Sequence, residues 1–185
     1  MLGNPNLSCW LDQHDVIISV SMPEWDEFAL TNAGAKVTSD KVIGRNLKSF
    51  VMGFMTLMWL ESVLELARSK NVEIESTYRC DAPSEKRYMK MSVSPQPYGQ
   101  LYIVYHFLQT KPIVPAIHFN YAEPIDSLYM ERCSICNRIQ LNGVWYEPEA
   151  AFQKGLVEDS CSLPVNYTVC HECMFQLHNL RYHFT

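Results

Sequence analysis

The sequence predicts an α+β chain in which strands and helices are followed by a smaller cysteine-bearing module. Residues 54–70 place apolar side chains at helical spacing, residues 72–108 hold three strand-like runs parted by turn residues, and four cysteines stand in two C-x-x-C pairs near the end.

Taken in order, residues 15–22 have the β-branched content of a strand, which Pro23 stops. A helix should follow. Glu24, Asp26 and Glu27 suit a first turn, Trp25, Phe28 and Ala29 recur at the spacing of a buried stripe, and Gly34 can end it. Gly44, Arg45 and Asn46 signal a turn. In the 54–70 helix, Phe54, Leu57, Leu60, Leu64 and Ala67 fall on one face with Met58 beside them, and Asn71 is the stop. Three strand runs come next. Residues 72–78 alternate, Met89, Met91 and Val93 alternate with Tyr88, Lys90 and Ser92, and residues 101–108 are rich in aromatic and β-branched side chains. Pro, Gly and Asp at 81–84 and 95–99 fit hairpin connections, so this part reads as strand, helices and an antiparallel meander with helices over one face. Residues 110–124, with Pro112, Pro115 and Pro124 and little periodicity, read as a linker, in which Ile117, Phe119 and Tyr121 are able to add a strand.

Composition bounds the function. The chain has 185 residues, 48% hydrophobic, with a formal net charge of −5, which suits a globular protein. No apolar run approaches the ~18–20 residues of a membrane helix, so no membrane contact is expected. The first ten residues do not resemble a secretory signal. A cytoplasmic location is therefore expected, where thiols stay reduced and seven cysteines suit metal ligands or buried thiols better than disulfides. A pI of about 5.6 argues against a nucleic-acid partner, as do four basic against six acidic residues in 131–185.

The pairs Cys133/Cys136 and Cys170/Cys173 carry the strongest chemical signal. Each C-x-x-C turn sets two thiolates on one side of a knuckle, and two knuckles together complete the tetrahedral S₄ set that zinc prefers. Four sulfur ligands leave no open position, so the expected zinc is structural, a staple for a module with a small core. The core candidates there are Ile139, Leu141, Trp145, Phe152, Leu156, Met174, Phe175 and Leu177. The competing reading is four reduced, buried thiols without metal, because the 33 residues between the pairs exceed the ~12–20 of compact zinc modules. His171 and His178 are spare ligands at most. No His directly follows a C-x-x-C, as c-type haem needs, and no H-x-E precedes one, as a zinc deaminase needs. No nucleophile stands with a base at a catalytic spacing, so no enzyme is expected.

Trp25-x-x-Phe28-Ala29-x-x-Asn32, Val42-x-Gly44, Tyr78-Arg79-Cys80-Asp81-x-Pro83 and Arg87-x-Met89-x-Met91 follow one another in an order that resembles a group of bacterial PAS-domain proteins. The resemblance spans roughly residues 10–112 and implies a five-stranded antiparallel sheet with helices on one face. Cys133-x-x-Cys136-x-x-Ile139, Trp145, Glu149 and Cys170-x-x-Cys173 resemble a short cysteine module that follows PAS or receiver domains in bacterial signalling proteins, with Val169 and His171 where that pattern has Ile and Pro. The expected organisation is a PAS-like domain over residues 1–112, a linker over 113–127 and a four-cysteine zinc-knuckle-like module over 128–185. The implied function is a sensory or protein-interaction module in signal transduction, with a homodimer or a signalling protein as partner. A small-molecule or cofactor sensor with an occupied PAS pocket is one alternative, and a nucleic-acid-binding regulator acting through the knuckles another.

Several smaller expectations accompany these. The stretch from Ile43 to Phe50 resembles a degenerate copy of the flavin-binding LOV motif, with Leu47 in place of the photoactive cysteine. Haem would need His106 or His118 as axial ligand. Met52, Met55, Met58, Met89 and Met91 are able to line an adaptable pocket, though plain core is the commoner use. Arg79, Asp81, Lys86 and Arg87 suit a solvated salt-bridged surface. The segment of residues 1–11, with Trp10 and Leu11 apolar, is the expected dimer contact.

Overall fold

The computed structural model describes residues 7–32, 34–123, 129–157 and 162–183, the side chains of 180–183 excepted. Leu7–Leu11 (β1), Ile17–Val20 (β2), Ile74–Arg79 (β3), Glu85–Pro95 (β4) and Leu101–Pro112 (β5) form a sheet in the order β2-β1-β5-β4-β3, antiparallel throughout. Between β2 and β3 the chain makes three helices, Glu24–Thr31 (α1), Ser39–Val42 (α2) and Phe54–Lys70 (α3). They cover one face, where Cys9, Leu11, Ile74, Met91, Val93, Leu101 and Ile103 share a core with Val42, Leu60, Val63, Leu64 and Ala67. This is the PAS-like plan expected from the sequence.

The local chemistry explains the boundaries. Asn71 takes the left-handed conformation (φ 52°) that ends α3, tolerated by its short polar side chain. Helix α3 buries Leu60, Leu64 and Ala67 of the expected face, but that face is wider toward the C-terminal end and does not include the first turn. Trp59, Leu60, Val63, Leu64, Leu66 and Ala67 are buried, while Phe54 is 73% exposed and Met58 lies at the surface. Strand β1 was not expected as a strand at all, although Leu7, Cys9 and Leu11 alternate with Ser8 and Trp10. It pairs with β5 from Leu7 opposite Tyr105 to Leu11 opposite Leu101, and Leu11 is fully buried. Residues 7–11 thus pair on both edges, with β2 and β5, while residues 1–6 of the expected dimer contact lie outside the described residues.

A second sheet holds Phe119–Tyr121 (β6), Met130–Cys133 (β7), Ile139–Leu141 (β8), Val144–Tyr146 (β9) and Leu163–Thr168 (β10) in the order β6-β10-β7-β8-β9. Pro148–Gln153 (α4) and His171–His183 (α5) accompany it. Strand β6 is the extra strand that Phe119 and Tyr121 promised, and it pairs with β10, not with the first sheet. Of the expected core residues here, Ile139 and Leu177 are buried, whereas Leu156 and Phe175 are exposed.

The two sheets share one hydrophobic core, in which Leu64 and Val63 of α3 belong to the same cluster as Ile135, Val169 and Leu177. A close approach is at Gly53 (φ 86°), before α3, where an added Cβ would overlap the carbonyl oxygen of Tyr167 in β10. A Gly53→Ala substitution therefore combines backbone strain with a clash against main chain. It is expected to cost about 2–4 kcal/mol of stability. Urea denaturation checks this, and a loss below about 1 kcal/mol would show that the approach has slack.

Candidate metal centre

Both cysteine pairs sit at the C-terminal ends of neighbouring parallel strands. β7 and β10 run side by side with Cys133 opposite Thr168, so the turn after β7 and the start of α5 emerge together. Parallel pairing requires a long crossover, and the β8–β9 hairpin with α4 supplies it. The 33-residue separation, long for a compact zinc module, is made up of most of that crossover together with β10.

The sulfurs of Cys133, Cys136, Cys170 and Cys173 all lie within 4.8 Å of one another, with no disulfide among them. Cys136 and Cys170 stand 3.8 Å apart. Cys133 ends β7, and its N–H donates to the Arg138 carbonyl at 2.9 Å while Asn137, at φ 59°, donates its N–H to the Cys133 carbonyl at 2.8 Å. These bonds close the first knuckle. The second forms as Cys170 precedes α5 and Cys173 lies in its first turn; the Cys170 N–H donates to the Cys133 sulfur at 3.3 Å, and the Ser134 N–H to the Thr168 carbonyl at 2.8 Å. The cluster contains the four sulfurs and neither His171 nor His178.

This donor set fits a thiophilic cation such as zinc. Hydrogen bonds from Cys136, Cys170 and Cys173 draw the Cys133 thiol far down, and the resulting anion pushes the Cys136 and Cys173 thiols up. The group by itself holds thiolate and protonated thiol side by side, Cys133 and Cys170 being drawn down while Cys136 and Cys173 are pushed up. A dication is what lets four thiolates share a site of this size, and a buried N–H aimed at one sulfur supports its negative charge.

The first knuckle docks on the outer edge of β3. The Arg79 N–H donates to the Ile135 carbonyl at 2.8 Å, and Asn137 Nδ2 donates to the Arg79 carbonyl at 3.0 Å. Both backbone groups at the end of that edge strand are thereby satisfied. The Thr56 and Ser134 hydroxyls, 2.6 Å apart, tie α3 to the same turn.

Beside this contact, the charges expected at a solvated surface are buried. The side chains of Arg79, Asp81 and Lys86 are 6%, 2% and 9% exposed. Arg79 is paired with Asp81 and, at 2.6 Å, with Glu147, while Lys86 bonds Glu147 at 2.8 Å and also Glu149. Glu147 comes from the start of α4, so the network joins the two sheets. Sequence reading had no means of seeing this, because the partners lie more than sixty residues apart. The hairpin turn Asn142-Gly143, with φ of 50° and 80°, is a structural feature for which Asn-Gly is the usual sequence signal.

Two cavities flank these elements. One, of about 300 Å³, lies between α1 and the sheet, with Trp25, Phe28, Tyr78, Cys80, Met89 and Tyr105 on its walls. Of the five methionines, only Met89 lines it. Met91 is core, and Met52 and Met58 are exposed. His106 and His118 are absent from its lining. The LOV-like stretch has no part in it either, since Asn46 caps the turn at residues 47–50 by accepting from the Lys48 N–H and Leu47 packs against the core. The second cavity, of about 320 Å³, lies between β3, β4 and β5 and the cysteine module.

No family model matches the chain. No curated protein matches it either. Among solved structures, the chain is similar to a domain of an HTR-like protein from Haloarcula marismortui ATCC 43049, at 15% identity and a TM-score of 0.41, covering 57% of this chain and 99% of that one. Among the described residues, no helix is long and apolar enough to cross a membrane.

Proposed function

We propose that this protein is a non-enzymatic, PAS-type sensory or protein-interaction module of bacterial signal transduction, cytoplasmic, stapled by one structural zinc ion on Cys133, Cys136, Cys170 and Cys173. The observation that carries the metal reading is the convergence of four sulfurs within 4.8 Å at the ends of two adjacent strands. Four protein donors saturate a tetrahedral ion, so its role is to hold the two knuckles together and, through Ile135 and Asn137, to fix the edge of the first sheet. The signalling reading rests on the motif resemblance together with the PAS-like sheet, and its partner is a second copy of the chain or another signalling protein.

Elemental mass spectrometry on chelator-washed protein tests the metal. One zinc per chain is expected, lost in both Cys133→Ser and Cys170→Ser. Metal-free protein purified under reducing conditions would overturn the reading. The apolar cavity of about 300 Å³ favours a second reading, a sensor for a small apolar ligand. Native mass spectrometry of freshly purified protein distinguishes it, because a retained ligand adds mass that denaturation removes.

A further inference from the structure

The four cysteines of the cluster are not equally protected. Cys133 and Cys170 are 0% and 2% exposed, and neither lines the second cavity. Cys136 and Cys173 line the second cavity, with Arg138, Leu108, Tyr88 and Gln176 among the other walls. Cys173 is 6% exposed, whereas Cys136 is half-buried, which makes it the most accessible of the four. A space of about 320 Å³ admits a molecule much larger than water to that thiolate. Arg138, two residues on, is a cation on the same wall, held at 2.8 Å by Glu172. An accessible thiolate beside a fixed cation is the environment in which cysteine oxidation is fast, and buried structural thiols are inert by comparison.

We infer that Cys136 is an oxidative modification site for hydroperoxides that enter this cavity. The inference rests on the zinc reading, since metal-bound cysteine is thiolate. The Cys136 sulfur attacks one oxygen of hydrogen peroxide; an S–O bond forms, the O–O bond breaks and hydroxide leaves, giving a sulfenic acid. The Cys170 thiolate, 3.8 Å away, then attacks that sulfur; an S–S bond forms, the S–O bond breaks and a second hydroxide leaves. Two thiolates together lose two electrons, one peroxide gains them, and solvent protons turn the two hydroxides into water. Only Cys133 and Cys173 remain as thiolate donors, too few to close a tetrahedral site, so zinc is released. The turn that holds Arg79 of β3 is released with it.

The test uses the full chain with zinc bound, treated with hydrogen peroxide in the presence of dimedone, with peptide mass spectrometry to locate the tag and a chelating dye to follow zinc. The first tag is expected on Cys136. Without dimedone, a Cys136–Cys170 disulfide and one zinc released per chain are expected, both reversed by reductant and added zinc. Leu108→Trp fills the cavity from the β5 side and Gln176→Trp from α5. Each should leave the metal content unchanged and slow tagging by about threefold or more. A first tag on any other cysteine, or tagging at wild-type rate in whichever variant folds with its zinc, overturns the inference. Failure of the zinc reading appears separately, as metal-free protein in the elemental analysis, where dimedone still reports whether Cys136 reacts first.

Discussion

Stripping the proposed zinc from the protein with a chelator is expected to unfold the cysteine module and unfasten β3. Structural zinc contributes about 10–16 kcal/mol to the folding of isolated zinc-finger peptides at neutral pH. Here Ile139, Val165 and Leu177 supply core of their own, so the net loss is smaller. A loss of about 4 kcal/mol lowers the melting temperature of a chain this size by about 8–16 °C. Hydrogen exchange gives the local signature. The Arg79 amide, bonded only to the Ile135 carbonyl of the first knuckle, should lose protection on chelation, while Cys80, whose amide bonds Arg87 within the first sheet, should keep it. Equal protection at Arg79 with and without metal would show that the knuckle holds its shape unaided.

The second large effect is expected from Arg79→Met. Asp81 is 2% exposed, and its charge is compensated chiefly by that guanidinium, with Arg132 4.0 Å away. Removing one member of a buried pair costs about 3–5 kcal/mol, because the remaining charge is kept from water and left with only the long contact to Arg132 and the Arg87 N–H. The double variant Arg79→Met/Asp81→Leu should recover most of the loss, since the carboxylate that Arg79 compensates goes with it and only the long contacts to Arg132 and the Arg87 N–H are given up. Urea denaturation of the single and double variants measures both, and a double variant as unstable as the single one would place the cost in lost packing instead. Acid adds a second signature. Burial pushes the Glu147 carboxyl up, but hydrogen bonds from Lys86 and Arg79 and their charges outweigh it, so the group lies below its ordinary range. Its contribution is therefore complete above the unfolded-state value of about 4.3 and is lost as pH falls through the lower folded value. Glu147→Gln should flatten the fall in stability in that acid window.

These two regions differ in how far the sequence revealed them. The α3 boundaries follow from local signals, an apolar period and an asparagine that accepts a left-handed turn, and local signals are visible in one dimension. The four cysteines were equally legible, because metal chemistry restricts both residue type and spacing. The inward face of α3 was legible at Leu60, Leu64 and Ala67, but not at Trp59, Val63 and Leu66 nor in the exposure of Phe54, because the second sheet packs against the same helix. Arg79, Asp81 and Lys86 carry no mark distinguishing a buried network from a solvated one. What decides it is Glu147, delivered by a helix that sequence distance keeps out of view. The cavity beside Cys136 is legible only once both sheets are assembled.

The place of β1 in the first sheet sets the order in which that sheet can assemble. The β3–β4 and β4–β5 pairs are hairpins joined by short turns, so little chain entropy is lost in closing them. β1 instead meets its partner across most of the first sheet's length, Ser8 standing opposite Val104, and the intervening helices have to be gathered in before that contact stabilises anything. The strand nearest the beginning of the chain is thus among the last to join, adding itself with β2 to a meander already formed behind it. The sequence separation at this pairing raises the contact order of the fold, and with it the loop-closure entropy that folding has to overcome.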